Sequence, residues 1–184
     1  TANIGLENTD IATNERGAIV VNDTCESSVP GVYAVGDVNG GPQFTYISLD
    51  DFRIVFGTLT GNGQYTLKDR KNIPYTTFLT PPLARVGLTE EDAINKGYTV
   101  KTKEMLVATM PRAHVNDYLK GAFKIVVNAD NDLILGATLY SQGAEELINL
   151  IKMAMDNNIP YTYFKNQIFT HPTMAENLND LCNF

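Results

Sequence analysis

Two short apolar runs stand near the start of the chain. Ala18-Ile19-Val20-Val21 follows the turn-like Asn14-Glu15-Arg16-Gly17, and Val32-Tyr33-Ala34-Val35 lies between Pro30-Gly31 and Gly36-Asp37. Runs this short, apolar on both faces, predict strands, the second of them a buried central strand of a parallel sheet. After Asn39-Gly40-Gly41-Pro42 the period changes. Ile47, Phe52, Val55, Phe56 and Leu59 recur at helical spacing, so residues 45 to 59 predict a helix that Gly61-Asn62-Gly63 ends as a C-cap. The polar, turn-rich stretch 61–72 is the predicted domain boundary.

Beyond it the pattern becomes α+β. Residues 75–79 predict a strand running into Thr80-Pro81-Pro82. Thr89-Glu90-Glu91-Asp92 predicts a helix start, with a hydroxyl cap and an acid three residues later, and Gly97 closes that helix. Strands are predicted over 99–108, 123–127 and 134–140. Residues 143–156 form an amphipathic helix with Leu147, Ile148, Ile151, Ala154 and Met155 on one side, ended by Asn157-Asn158-Ile159-Pro160. A last helix is predicted over 173–181. No internal repeat or low-complexity tract is visible.

Composition narrows the classes. The 184 residues fit one domain, or one domain and a piece of another, and 43% hydrophobic with 19% charged residues is an ordinary globular balance. A formal net charge of −7 argues against nucleic acid as the partner, because phosphate binding needs clustered Lys and Arg. No run of about 18 apolar residues exists, so no membrane span is expected. Thr1-Ala2-Asn3-Ile4 has neither an initiator Met nor a basic-then-apolar leader and reads as if cut from a longer chain. The two cysteines, Cys25 and Cys182, have no CxxC or CxxxxC spacing, which suits a reducing cytoplasm rather than a disulfide framework.

Two features could carry chemistry. In Phe169-Thr170-His171-Pro172-Thr173-Met174-Ala175-Glu176, an imidazole precedes a proline suited to a first helical turn, and Glu176 inside that helix could reach back to the ring. A carboxylate accepting one ring N–H fixes the tautomer and leaves the other nitrogen for proton transfer. Such acid–base work contributes roughly 10²–10⁴-fold to a rate. The X-Pro bond can also adopt cis, which aims a side chain out of a tight turn. The plainer alternative is a capping or surface histidine. In the second feature, Gly36-Asp37 ends the predicted strand at the edge where α/β sheets bind ligands. Asp37 could accept hydrogen bonds from ligand hydroxyls, Gly36 permits close backbone approach, and the helix opening at Phe44-Thr45 presents its positive end. The alternative is an ordinary strand–turn with a solvated Asp.

Together these motifs resemble the pyridine-nucleotide disulfide oxidoreductase family of glutathione reductase and dihydrolipoamide dehydrogenase. Residues 32–38 resemble its second flavin motif. Ile73-Pro74-Tyr75 through Val86-Gly87-Leu88-Thr89-Glu90 looks like the start of its dimerisation domain, and His171-Pro172-Thr173 with Glu176 matches its HPTxxE signature. The resemblance covers nearly the whole chain. It implies residues 1–70 as the C-terminal remnant of an α/β FAD- and NAD(P)-binding region. Residues 71–184 would form an α+β dimerisation domain, an antiparallel sheet with helices. It also implies a cytoplasmic homodimer in which FAD passes electrons from NAD(P)H to a cysteine pair. His171 would serve that pair from the partner subunit, oriented by Glu176. Asp37 would bind the ribityl hydroxyls, with Gly36, Gln43, Phe44 and Thr45 beside the flavin. An imidazolium also stabilises a neighbouring thiolate.

The departures matter as much. The chain contains no GxGxxG, no nicotinamide-binding βαβ unit and no cysteine pair, so the fragment alone is expected to be inactive and to bind FAD poorly. Cys25, in an acidic loop, and Cys182, unlike the adjacent C-terminal thiols of mercuric reductase, read as incidental; His114 reads as a loop residue. No residues have metal-ligand spacing. The apolar faces of 143–156 and of the strands from 121 to 140 are candidates for the subunit interface. The alternatives are a non-catalytic dimerisation and flavin-contact module, or an unrelated hydrolase pairing a cysteine with His171. The context of His171 and the Asn177–Leu181 tail resemble the mercuric-reductase-like and reactive-chlorine-resistance branch more than glutathione reductase. That implies hypothiocyanous acid or a metal ion as substrate rather than a peptide disulfide.

Overall fold

The helix expected after residue 45 forms as α1 (Thr45–Thr60), and its end is set by Gly61 at φ 72°, a left-handed cap. A computed structural model describes residues Thr1–Phe184, which divide into two units, Thr1–Lys71 and Asn72–Phe184. In the first unit α1 is the one long element. Its inward face carries Ile47, Asp51 and Ile54, whereas Phe52, Phe56 and Leu59, which the spacing assigns to its apolar side, are more than half exposed. Because apolar residues lie all round α1, periodicity could not choose the covered side.

The two strands expected before α1 do not form. Ile19 and Tyr33 each make one isolated antiparallel bridge, to Thr13 and Glu26. Val32 and Val35 stay 38% and 41% exposed while Ala34 is buried, so the predicted buried strand is half open. A central strand of a parallel sheet has hydrogen-bonded neighbours on both sides and both faces covered, and here Tyr33 has one antiparallel bridge, to Glu26.

The second unit is a five-stranded antiparallel sheet. Its strands are β1 (Tyr75–Thr77), β2 (Leu83–Gly87), β3 (Val100–Leu106), β4 (Ala122–Asn128) and β5 (Ile134–Tyr140), in spatial order β1-β2-β5-β4-β3. β2 went unrecognised because Pro82 stands directly before it and Arg85 interrupts its short apolar run. Helix α2 (Glu90–Asn95) starts as expected, with Thr89 and Asp92 exchanging side-chain-to-backbone bonds in a capping box. Register sets Ala84 opposite Leu139 and Ile125 opposite Ala137. These residues, with Val86, Phe123 and Val127, join the core. Period-2 alternation sends their neighbours Arg85, Lys124 and Thr138 to the other face.

The short helix α3 (Pro111–Val115) sets His114 not in a loop but on a helix, its Nε2 2.8 Å from the Ala108 carbonyl oxygen. Helix α4 (Ala144–Asp156) closes the core with Ala144, Leu147, Ile148, Ile151 and Ala154, the i, i+3, i+4, i+7 stripe of an amphipathic helix. The apolar faces of α4 and of β4 and β5, expected as candidates for a subunit interface, are therefore consumed by the unit's own core. What α4 leaves outside is Leu150 and Met153. Helices α5 (Tyr161–Asn166) and α6 (Asn177–Leu181) complete the unit. The last helix starts four residues later than predicted. Residues 173–176 are a hydrogen-bonded turn, so Pro172 is not in a first helical turn and Glu176 is the cap rather than an interior residue. No helix is long and apolar enough to cross a membrane.

Candidate functional site

The His171 turn is built on α6. Leu178 and Leu181 are fully buried and anchor that helix in the core. Asn179 Nδ2 donates to the Phe164 and Gln167 carbonyls at 2.7 and 2.9 Å, tying α6 to the end of α5 and to the segment that leads into the turn. Asn177, also buried, donates to the Thr173 and Met174 carbonyls at 3.2 and 3.1 Å. These two asparagines are supports the sequence reading missed; amides closing backbone turns carry no spacing signal.

On this base Thr173 and Glu176 bind each other reciprocally. The Thr173 N–H donates to Glu176 Oε1 at 3.1 Å, and the Glu176 N–H donates to Thr173 Oγ1 at 3.2 Å. Thr173 Oγ1 in turn donates to the Thr170 carbonyl at 2.8 Å. The other carboxylate oxygen, Glu176 Oε2, lies 2.7 Å from His171 Nδ1. The His171–Pro172 peptide is cis. The carboxylate is mostly covered, while the imidazole is 68% exposed. With Nδ1–H donated to Glu176, Nε2 is the nitrogen left to exchange a proton with a group arriving from outside. This geometry can hold a tautomer and present one basic atom.

In the first unit Gly36–Asn39 form a 3-10 turn. Gly36 is buried at φ 73°, and a Cβ there would run into Ser48 Oγ on α1, so only glycine fits. Its N–H donates to Asp51 Oδ2 at 2.7 Å, and Asn39 Nδ2 donates to the same oxygen at 2.8 Å. The other Asp51 oxygen accepts from the Arg70 guanidinium, whose Nε also reaches Asp50 Oδ2 at 2.8 Å. The sequence reading passed over Asp51 and Arg70, since a carboxylate on a helix is normally a solvated one. The Asp37 carboxylate is exposed and makes no hydrogen bond within the chain. It lies with Gln43, Gly40, Asn14 and Arg16 on an open cavity of about 690 Å³. Phe44 is the extended residue before α1, stacked on Tyr46 with ring centroids 5.1 Å apart, and Thr45 is the first helical residue. Gly36, Phe44 and Thr45 do not line that cavity; Asp37 and Gln43 do.

Neither thiol is poised to react. Burial, reinforced by the nearby Asp51 charge, pushes Cys25 up to about 11, and burial pushes Cys182 up to about 12. A nucleophilic cysteine needs the opposite shift, so a hydrolase pairing Cys182 with His171 loses its nucleophile. No group of three or more His, Cys, Asp or Glu side chains is placed to hold a metal ion.

Residues 73–182 match the model of the pyridine nucleotide-disulphide oxidoreductase dimerisation domain, and residues 1–51 match the model described as pyridine nucleotide-disulphide oxidoreductase. The chain is 49% identical over 181 residues to the probable pyridine nucleotide-disulfide oxidoreductase RclA of Escherichia coli, covering 98% of this chain and 41% of that protein. It is 34% identical over 178 residues to the mercuric reductase of Staphylococcus aureus, covering 97% of this chain and 32% of that one. Among solved structures, the HOCl-induced flavoprotein disulfide reductase RclA from Escherichia coli superposes with a TM-score of 0.93 at 48% identity, over 96% of this chain and 41% of that one. The chain thus spans less than half the length of these relatives.

Proposed function

The chain belongs to the pyridine nucleotide-disulphide oxidoreductase family and carries its dimerisation domain, and from that premise we propose that it is the C-terminal part of a FAD-dependent NAD(P)H:disulfide-type oxidoreductase. In this reading it supplies the acid–base pair and the subunit contact. The observation that carries the proposal is the His171–Glu176 pair, 2.7 Å apart on a turn bound reciprocally by Thr173. Glu176 holds the Nδ1 proton and orients the ring. Nε2 takes a proton from an approaching thiol and returns it to the leaving thiolate, the step that thiol–disulfide exchange requires. The cysteines it serves lie outside this chain, in the partner subunit of a two-fold homodimer.

The residues of the first unit fit a flavin nucleotide. The Asp37 carboxylate, uncommitted within the chain, faces an open cavity, and Gly36 leaves no Cβ between the turn and α1. Asp37 would accept from ribityl hydroxyls, Gln43 would contact the same nucleotide, and the α1 opening at Phe44 and Thr45 would present its positive end to the ring. FAD, when bound, supplies the two-electron relay between NAD(P)H and the dithiol. The exposed apolar face of α1 supports further chain packing there. Similarity to an HOCl-induced reductase and to mercuric reductase supports a small inorganic oxidant or a metal ion as substrate. The two free, buried cysteines support a reducing, cytoplasmic setting.

The 184-residue chain alone is expected to be inactive and to purify without stoichiometric flavin. In the full-length enzyme, His171→Ala is expected to abolish most disulfide-type reduction. Unchanged reduction by that variant would favour a non-catalytic dimerisation and flavin-contact module.

A further inference from the structure

Asp51 is the one charged side chain buried in the whole chain, with no exposed surface. Burying a carboxylate is costly, and a hydrophobe of similar size would hold a helix against its neighbours at least as well. Its presence therefore asks for something that an apolar residue cannot do. Its three donors identify that task. Oδ2 accepts both the Gly36 N–H and Asn39 Nδ2 from the turn that presents Asp37, while Oδ1 accepts the Arg70 guanidinium from the segment after α1. Gly36 is meanwhile pressed onto Ser48, one turn before Asp51 on the same helix. The Asp37 turn is thus held at this carboxylate to the first two turns of α1, the helix that Phe44 and Thr45 open.

We propose that Asp51, neutralised by Arg70, is a positioning residue that holds the Asp37 turn and the α1 opening in the relation a flavin nucleotide requires. This rests on the flavin-site reading above. An amide cannot replace the carboxylate here. All three groups around Asp51 are donors, so an Asn must set its own NH₂ against either Arg70 or the turn. The preference is a matter of donor count rather than size.

The test is FAD titration of the deflavinated full-length protein, followed by flavin fluorescence, together with thermal unfolding of the apo form. Asp51→Asn is expected to raise the FAD dissociation constant about tenfold or more and to shift the bound flavin's absorbance band. Asn39→Ala, which removes one of the two turn donors, is expected to raise it about threefold. The triple variant Asp50→Asn/Asp51→Leu/Arg70→Met removes the cation together with both carboxylates it pairs and so leaves no orphan charge; it should unfold near the wild-type temperature yet bind FAD as weakly as Asp51→Asn. That separation of stability from affinity is what a merely structural carboxylate would not give. If the variants that fold bind FAD within twofold of wild type, the positioning role is overturned, and should Asp51→Asn fail to fold, the other two variants decide. A wild-type full-length protein that takes up no FAD would instead overturn the flavin-site reading itself.

Discussion

Replacing Glu176 by Gln in the full-length enzyme tests the acid–base assignment at its weakest joint. The carboxylate accepts two donors, His171 Nδ1 at 2.7 Å and the Thr173 N–H at 3.1 Å. A glutamine has one oxygen to share between them. If that oxygen stays on Nδ1, its NH₂ faces the Thr173 N–H, donor against donor. If it turns round, its NH₂ faces Nδ1, which must then be the unprotonated nitrogen, and the proton moves to Nε2, the atom that has to accept one. Either arrangement weakens a charge-assisted bond of about 1.5–3 kcal/mol in full burial. The imidazole is 68% exposed, so water screens the pair and about 1 kcal/mol is the better figure, or roughly fivefold in rate. Complete removal in His171→Ala should cost roughly 10²–10⁴-fold. The assay is steady-state NAD(P)H oxidation with a disulfide or oxidant acceptor, run beside anaerobic flavin reduction by NAD(P)H. The first should slow and the second should not. Equal slowing of both half-reactions, or no slowing of either, would refute the assignment.

Three further outcomes follow from the same structure. Folding keeps both thiols protonated to about 11 and 12 against an ordinary 9.0, so the unfolded chain releases those protons first as pH rises. Stability should be level below about pH 9 and then fall by roughly 1 kcal/mol per pH unit for each thiol until its folded value is reached; urea midpoints of wild type and Cys182→Ala that fall with the same slope would contradict this. Phe123→Ala, at a fully buried position on the inner strand β4, should cost about 3–5 kcal/mol by urea denaturation, and a loss under about 1 kcal/mol would mean that Phe123 is not part of the stabilising core. The full-length enzyme should sediment as a dimer at micromolar concentration, whereas a stable monomer would deny His171 a site in a second subunit.

Much of this protein was legible along the chain, for local reasons. The α4 stripe, the Thr89–Asp92 box, the Gly61 cap and the alternation of β4 and β5 depend on residues within a few positions of each other, and period and capping chemistry are local rules. The HPTxxE spacing belongs to the same kind of signal, because His171 and Glu176 meet within one turn. What failed was whatever depended on distant partners. Residues 32–35 look like a central strand, yet they form a single bridge because the neighbours a parallel sheet requires are not supplied by this chain. The covered side of α1 was not legible in the sequence because the covering of a helix is decided by what packs on it, and that packing favours Ile47, Asp51 and Ile54. Asp51 itself reads as an ordinary surface acid. Only the fold brings Gly36, Asn39 and Arg70 to it from 15, 12 and 19 residues away. Sequence alone determined which groups were present and how each short segment would turn. Tertiary structure decided which of them were dry and which were shared, because burial and long-range hydrogen bonding are properties of the assembled core and not of any segment in it.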